Sequence, residues 1–73
     1  MKYIRFAGHS NNIHLFPDYE THSNVADLLG GRVISAGFVH MTDAGLSCSG
    51  ESFSLDCESL PDDSQELNSL LRD

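Results

Sequence analysis

Apolar and polar positions alternate at the start of the chain, with Ile4 and Phe6 on one side and Tyr3 and Arg5 on the other. Successive side chains in extended backbone point to opposite faces, so a period of two predicts a half-buried strand. Gly8-His9-Ser10-Asn11-Asn12 follows, rich in residues that tolerate positive φ or bond their own backbone, and predicts a hairpin turn. Ile13-His14-Leu15-Phe16 reads as the return strand with Ile13 and Leu15 inward. Pro17 stops it, because proline has no N–H to give a ladder.

The period then changes. Val25, Leu28 and Leu29 form one apolar face of a short helix over residues 23–29, with Ser23 as its cap and Gly30-Gly31 as its end. Two turns of helix are unstable alone in water, so this one must lean on the sheet. Residues 31–41 are the longest apolar and β-branched run in the chain. Val33, Val39 and Met41 share one face with Ser35 and Gly37, while Ile34, Ala36 and Phe38 share the other with His40. Apolar residues on both faces predict an interior strand, covered on both sides or on one side plus an oligomer interface. Gly37 within it predicts a bulge or a close backbone approach.

Thr42-Asp43-Ala44-Gly45 is the next turn, and Leu46-Ser47-Cys48-Ser49 the partner strand with Leu46 and Cys48 inward. At Gly50-Glu51-Ser52 the parity flips to Phe53, Leu55 and Cys57, which predicts a bulge or kink in one bent strand running to about Leu55. Ser59-Leu60-Pro61-Asp62 resembles a capping box, with proline in the first turn and acids near the positive end of the dipole. Leu60, Leu67, Leu70 and Leu71 follow at helical spacing, and Arg72 suits the far end. The predicted order is β-β-α-β-β-α: an α+β fold with a four-stranded, mostly antiparallel sheet and two short helices, residues 1–73 forming a single domain.

Length and charge narrow what such a domain does. A chain of 73 residues buries only about 60–65% of its unfolded surface, so its stability is a few kcal/mol and a staple or a second subunit is a common supplement. No run approaches the roughly 20 apolar residues of a membrane span, and the first residues lack the apolar stretch of a signal peptide. The expected location is the cytoplasm, where Cys48 and Cys57 are free thiols. Net charge is −7, and Lys2, Arg5 and Arg32 cancel Asp18, Glu20 and Asp27 in the first 40 residues. The whole excess therefore lies in residues 41–73, where Asp43, Glu51, Asp56, Glu58, Asp62, Asp63, Glu66 and Asp73 face only Arg72. Nucleic acid and anionic membrane need a cationic footprint and are disfavoured. A basic protein surface fits, although charge of this size also serves solubility by itself.

The reactive residue types form no convincing centre. His9 and His14 bracket the first turn, and Cys48 and Cys57 are eight residues apart, a spacing unlike that of structural zinc sites. The cysteines lie in the most acidic part of the chain, which opposes a thiolate, and small buried hydrophobes are the simpler reading. Gly45-Leu46-Ser47-Cys48-Ser49 lacks the second glycine of a nucleophile elbow. Gly30-Gly31-Arg32 ends a helix instead of opening one, which a phosphate loop would do.

Ser35-Ala36-Gly37-Phe38-Val39, then Cys48-x-Gly50-Glu51-Ser52-x-Ser54-Leu55, then Pro61-x-Asp63 resembles a set of small uncharacterised bacterial and phage or prophage proteins, over residues 31–71. That set has no established activity, so the resemblance assigns no role to any residue. It implies a short accessory gene, of the kind that in phages often encodes inhibitors of host machinery. The resulting expectation is a non-enzymatic acidic interaction module without cofactor, catalytic residue or metal. It binds a protein partner with a basic surface, in the sharpest form as an inhibitor of a host nucleic-acid-handling or defence complex, as anti-CRISPR proteins are. The candidate partner-binding residues are Glu51, Asp56, Glu58, Asp62, Asp63 and Glu66. A structural homo-oligomer is the alternative, a small metal-binding or enzymatic accessory protein the third.

Overall fold

Lys2–Phe6 (β1), expected to be half-buried, is covered on both sides, Tyr3 and Ile4 being fully buried on opposite faces, and that sets the architecture. In the computed structural model, which describes residues 1–8 and 12–71, β1 lies between Ile13–Phe16 (β2) and Val33–Thr42 (β3), with Gly45–Ser49 (β4) beyond β3. Every pairing in this four-stranded sheet is antiparallel. His22–Leu29 (α1) connects β2 to β3, and Asp63–Leu71 (α2) follows a small hairpin made of Glu51–Ser52 (β5) and Cys57–Glu58 (β6). The fold is α+β as expected, with that hairpin inserted before the last helix.

The two faces of the sheet are covered by different elements. On the first, Ile4, Phe6, Phe16 and Ala36 pack with Val25 and Ala26 of α1 and with Leu55 and Cys57 around the small hairpin. On the second, Tyr3 and Val39 pack against Leu67 of α2, flanked by Ile13, Leu46 and Cys48. The two-sided apolar pattern of residues 31–41 is thus largely answered within the chain, by one helix on each face, with Met41 left 81% exposed.

Several expectations need correction. Val33 joins the first face, not the second, because the register steps from Arg5↔Ser35 to Phe6↔Val33 and leaves Ile34 as the extra residue of a bulge. In β2 the buried residue is Phe16, whereas Leu15 is 37% exposed; Phe16 pairs with Lys2 and so shares the face of Ile4, under α1. The cap of α1 is Thr21, whose Oγ1 accepts the Asn24 N–H at 3.1 Å, not Ser23. The helix consequently turns His22, Val25 and Ala26 inward and leaves Leu28 83% exposed. The chain after β4 is not one bent strand: Gly50, at φ 85°, turns it out of the sheet into a separate hairpin.

Other local expectations hold. Gly30 ends α1, its N–H reaching Ala26 O at 2.9 Å. Thr42 Oγ1 closes the β3–β4 turn by donating to Gly45 O at 2.8 Å and accepting the Ala44 N–H at 3.2 Å. Gly37 is a close approach, since a Cβ there would collide with the Ser49 carbonyl oxygen. The middle of the turn expected between the first two strands, residues 9–11, lies outside the described residues.

Candidate functional site

Two polar constellations stand out, one buried and one exposed. The buried one begins with the alternation of β1, which places Tyr3 and Arg5 beneath α2, and with Ser35, a polar residue inside an apolar strand. Asp63, at the start of α2, is fully buried among them. Its carboxylate accepts hydrogen bonds from the Tyr3 hydroxyl, from Ser35 Oγ at 3.0 Å, from the Leu60 N–H at 2.9 Å and from Arg5 Nη1 at 2.8 Å. The bond to the Leu60 N–H is half of a capping box, one residue later than the Ser59–Asp62 box expected, with Asp63 three residues inside the cap and Pro61 in the first turn. Arg5 also reaches Asp62 at 3.0 Å.

The electrostatics follow from this geometry. Burial by itself would push the Asp63 carboxyl up, but the hydrogen bonds from Tyr3, Leu60, Arg5 and Ser35 outweigh it and hold the group below its ordinary range. Burial, then the bond to Asp63, pushes the Tyr3 hydroxyl up. Bonds to Asp62 and Asp63 raise Arg5 further. Each of the three therefore keeps one protonation state through neutral pH. The cluster binds α2 to the sheet and is poorly placed to exchange protons with a substrate.

Among the candidate partner-binding acids, then, Asp63 is a correction: contact with a partner needs an exposed side chain, and Asp63 lies at the centre of a buried network. Asp62 remains largely exposed but is tied to Arg5. Glu66 is half-buried, beside Arg5, Phe6 and Ile34. Glu51, Asp56 and Glu58 are exposed, and the structure gathers them on one hairpin.

That hairpin is the second constellation. Gly50 releases the chain from β4, and the Ser59 N–H closes the hairpin's base on Gly50 O at 2.9 Å. Ser52 and Cys57 pair across it, Ser52 being buried and Cys57 packing on the first apolar cluster. On the other side of the ribbon Glu51 pairs directly with Glu58. The turn between them is held by the Asp56 N–H on Phe53 O at 3.3 Å and by the Leu55 N–H on Ser52 Oγ at 3.3 Å. Asp56 sits in the left-handed region at φ 53°, and Phe53 projects into solvent, 89% exposed. Glu51, Phe53, Asp56 and Glu58, with Ser52 and Cys57 at the floor, line a shallow cleft of about 270 Å³.

Cys48, Cys57, His14 and His22 have structural settings. Cys48 and Cys57 are free and belong to clusters on opposite faces of the sheet. Burial and the nearby Asp63 charge push the Cys48 thiol up to about 11. The buried His22 ring lies edge-on to Phe16 and Phe38, its Nε2 2.9 Å from Gly37 O, and His14 lies edge-on to Phe6. Among the described residues no group of three or more His, Cys, Asp or Glu side chains is gathered to hold a metal ion; His9 lies outside them. No described helix is long and apolar enough to cross a membrane.

Sequence reasoning missed the buried network because an acid in the first turn of a helix is adequately explained by the dipole. One signal pointed to it. Ser35 in the middle of an apolar strand needs a buried hydrogen-bond partner, and Tyr3 and Arg5 extend the same polar stripe. No protein-family model, no curated protein and no solved structure matches the chain.

Proposed function

We propose that the protein is a non-enzymatic interaction module of the cytoplasm that docks on a basic protein surface through its β5–β6 hairpin. Phe53 is the apolar anchor, and Glu51, Asp56 and Glu58 supply the charge. In its sharpest form the partner is a nucleic-acid-handling or defence protein whose phosphate-binding cleft the acids occupy, so that binding inhibits it.

The supporting observation is the direct cross-strand pairing of Glu51 with Glu58 beside an exposed Phe53. Like charges placed opposite each other destabilise a hairpin, a left-handed Asp56 adds backbone strain, and an exposed phenyl ring gains nothing from the free molecule's own packing. A cationic partner reverses the sign of the first effect and buries the ring, as interface anchors do.

Glu58→Lys separates stability from binding. It turns the repulsive pair into an attractive one, so the free protein gains roughly 0.2–1 kcal/mol while capture of the partner is lost. Affinity capture from host lysate at low salt, comparing the native protein with Glu58→Lys and Phe53→Ala, is the test. A basic protein retained only by the native chain, and released by about 0.5 M salt, supports the proposal. Equal retention by all three, or a complex indifferent to salt, overturns it.

A further inference from the structure

The two edges of the sheet are finished differently. In β4 the backbone groups of Leu46 and Cys48 point away from β3, and α2 satisfies them with side chains. Asn68 accepts the Leu46 N–H at 3.1 Å and donates to Leu46 O at 2.7 Å, while Ser64 Oγ accepts the Cys48 N–H at 2.7 Å. The Asn68 amide thus makes the two bonds that a residue of a neighbouring strand would make, and the edge is closed.

At the other edge, Phe6 donates to Asn12 O at 2.9 Å, which fixes the alternation along β2. Asn12, His14 and Phe16 bond inward to β1, and the N–H and C=O groups of Ile13 and Leu15 point outward. Those groups have no partner among the described residues. Edges that avoid association usually carry a charge, a covering element or a proline within the strand. β2 is short, at four residues, but among the described residues it carries no charge, covering element or proline, Pro17 coming only after its end.

We infer that β2 is a self-association edge, on which β2 of a second copy of this chain adds antiparallel about a two-fold axis at His14. In that register Ile13 of each copy lies opposite Leu15 of the other. Every outward N–H and C=O of these two residues is then satisfied, and an apolar pair forms across the junction. The choice of a second copy rests on charge as well as on backbone geometry. The chain carries −7 overall, yet residues 12–17 contain no acid, so two copies meet here without the repulsion they would meet at the acidic hairpin. A continuous sheet across the axis would also give one particle two hairpins, which raises avidity for a partner that repeats its docking surface. The inference does not depend on what the hairpin binds.

Leu15→Pro tests it, because the lost N–H is one that points away from β1 and the monomer's own ladder is untouched. Light scattering from about 10 μM to about 1 mM should show the native chain rising from 8.0 kDa towards twice that mass, and Leu15→Pro staying at the lower value. A native chain that remains monomeric throughout overturns the inference, as does a dimer that persists in the variant. Should the variant fail to fold, amide exchange on the native chain decides. The Ile13 and Leu15 amides should slow by about tenfold or more across the same concentration range while those of Leu46 and Cys48 do not change. No change at Ile13 and Leu15 refutes the edge.

Discussion

Two helices cover the two faces of one sheet, and they are attached by different chemistry. α1 sits on Ile4, Phe6, Phe16 and Ala36 through Val25 and Ala26, with a single polar tie, the buried His22 ring whose Nε2 lies 2.9 Å from Gly37 O. α2 brings only Leu67 as a fully buried apolar side chain, and its other attachments are polar: Asp63 to Tyr3, Arg5 and Ser35, Ser64 to Cys48, and Asn68 to Leu46. Apolar contact is tolerant of small shifts and independent of pH. A buried ionised network depends on geometry and protonation, and is costly when a single member is removed.

The largest expected effect comes from breaking that network. Asp63→Ala leaves Tyr3, Ser35 and the Leu60 N–H without their acceptor and Arg5 with Asp62 alone, and removing one partner of such a buried pair costs about 3–5 kcal/mol. In so small a protein that is enough to unfold much of the population, which urea titration followed by circular dichroism would show. Ile4→Ala on the apolar face should cost about 2–5 kcal/mol by cavity formation, with a loss that is the same at pH 5 and pH 8.

The pH response sharpens the contrast. The Asp63 carboxyl is held below its ordinary value, so its stabilisation is complete above about pH 4 and is lost as pH falls through the folded-state value. Tyr3 is raised, so its contribution is complete below about pH 10 and is lost as pH climbs further. Thermal melts across pH should therefore show an acid limb that Asp63→Asn flattens and an alkaline limb that Tyr3→Phe reduces, with Ile4→Ala changing neither shape. Asn68→Ala strips the Leu46 N–H and C=O of their partners and should cost about 1–3 kcal/mol in the same urea titration. The smallest effect belongs to α1's surface: Leu28→Gln, at a position that touches no core residue, should stay within about 0.5 kcal/mol of the native chain.

How far the fold was legible follows the same division. Period and turn chemistry located both central strands, the Thr42–Gly45 turn, the glycine end of α1 and the close approach at Gly37, because each is fixed by local rules. What failed were features set by tertiary contacts. The bulge at Ile34 moved Val33 across the sheet, Thr21 capped a helix for which Ser23 was equally good by sequence, and Gly50 ended a strand that alternation alone would have extended. The acids divided likewise. Glu51, Asp56 and Glu58 stay at the surface, but Asp63 is indistinguishable from Asp62 until Tyr3 and Ser35 are known to lie under it.

The bond between Tyr3 and Asp63 joins residues 60 positions apart, whereas each β-hairpin closes over a few. Contacts of such long sequence separation are rewarded only once the strands beneath have formed. The expected order of assembly has the sheet and α1 coming together first and α2 latching last. A latch that forms after the transition state governs how fast the molecule opens, not how fast it forms. Damage to the Asp63 network should therefore leave the refolding rate almost unchanged and appear as a shortened lifetime of the native state.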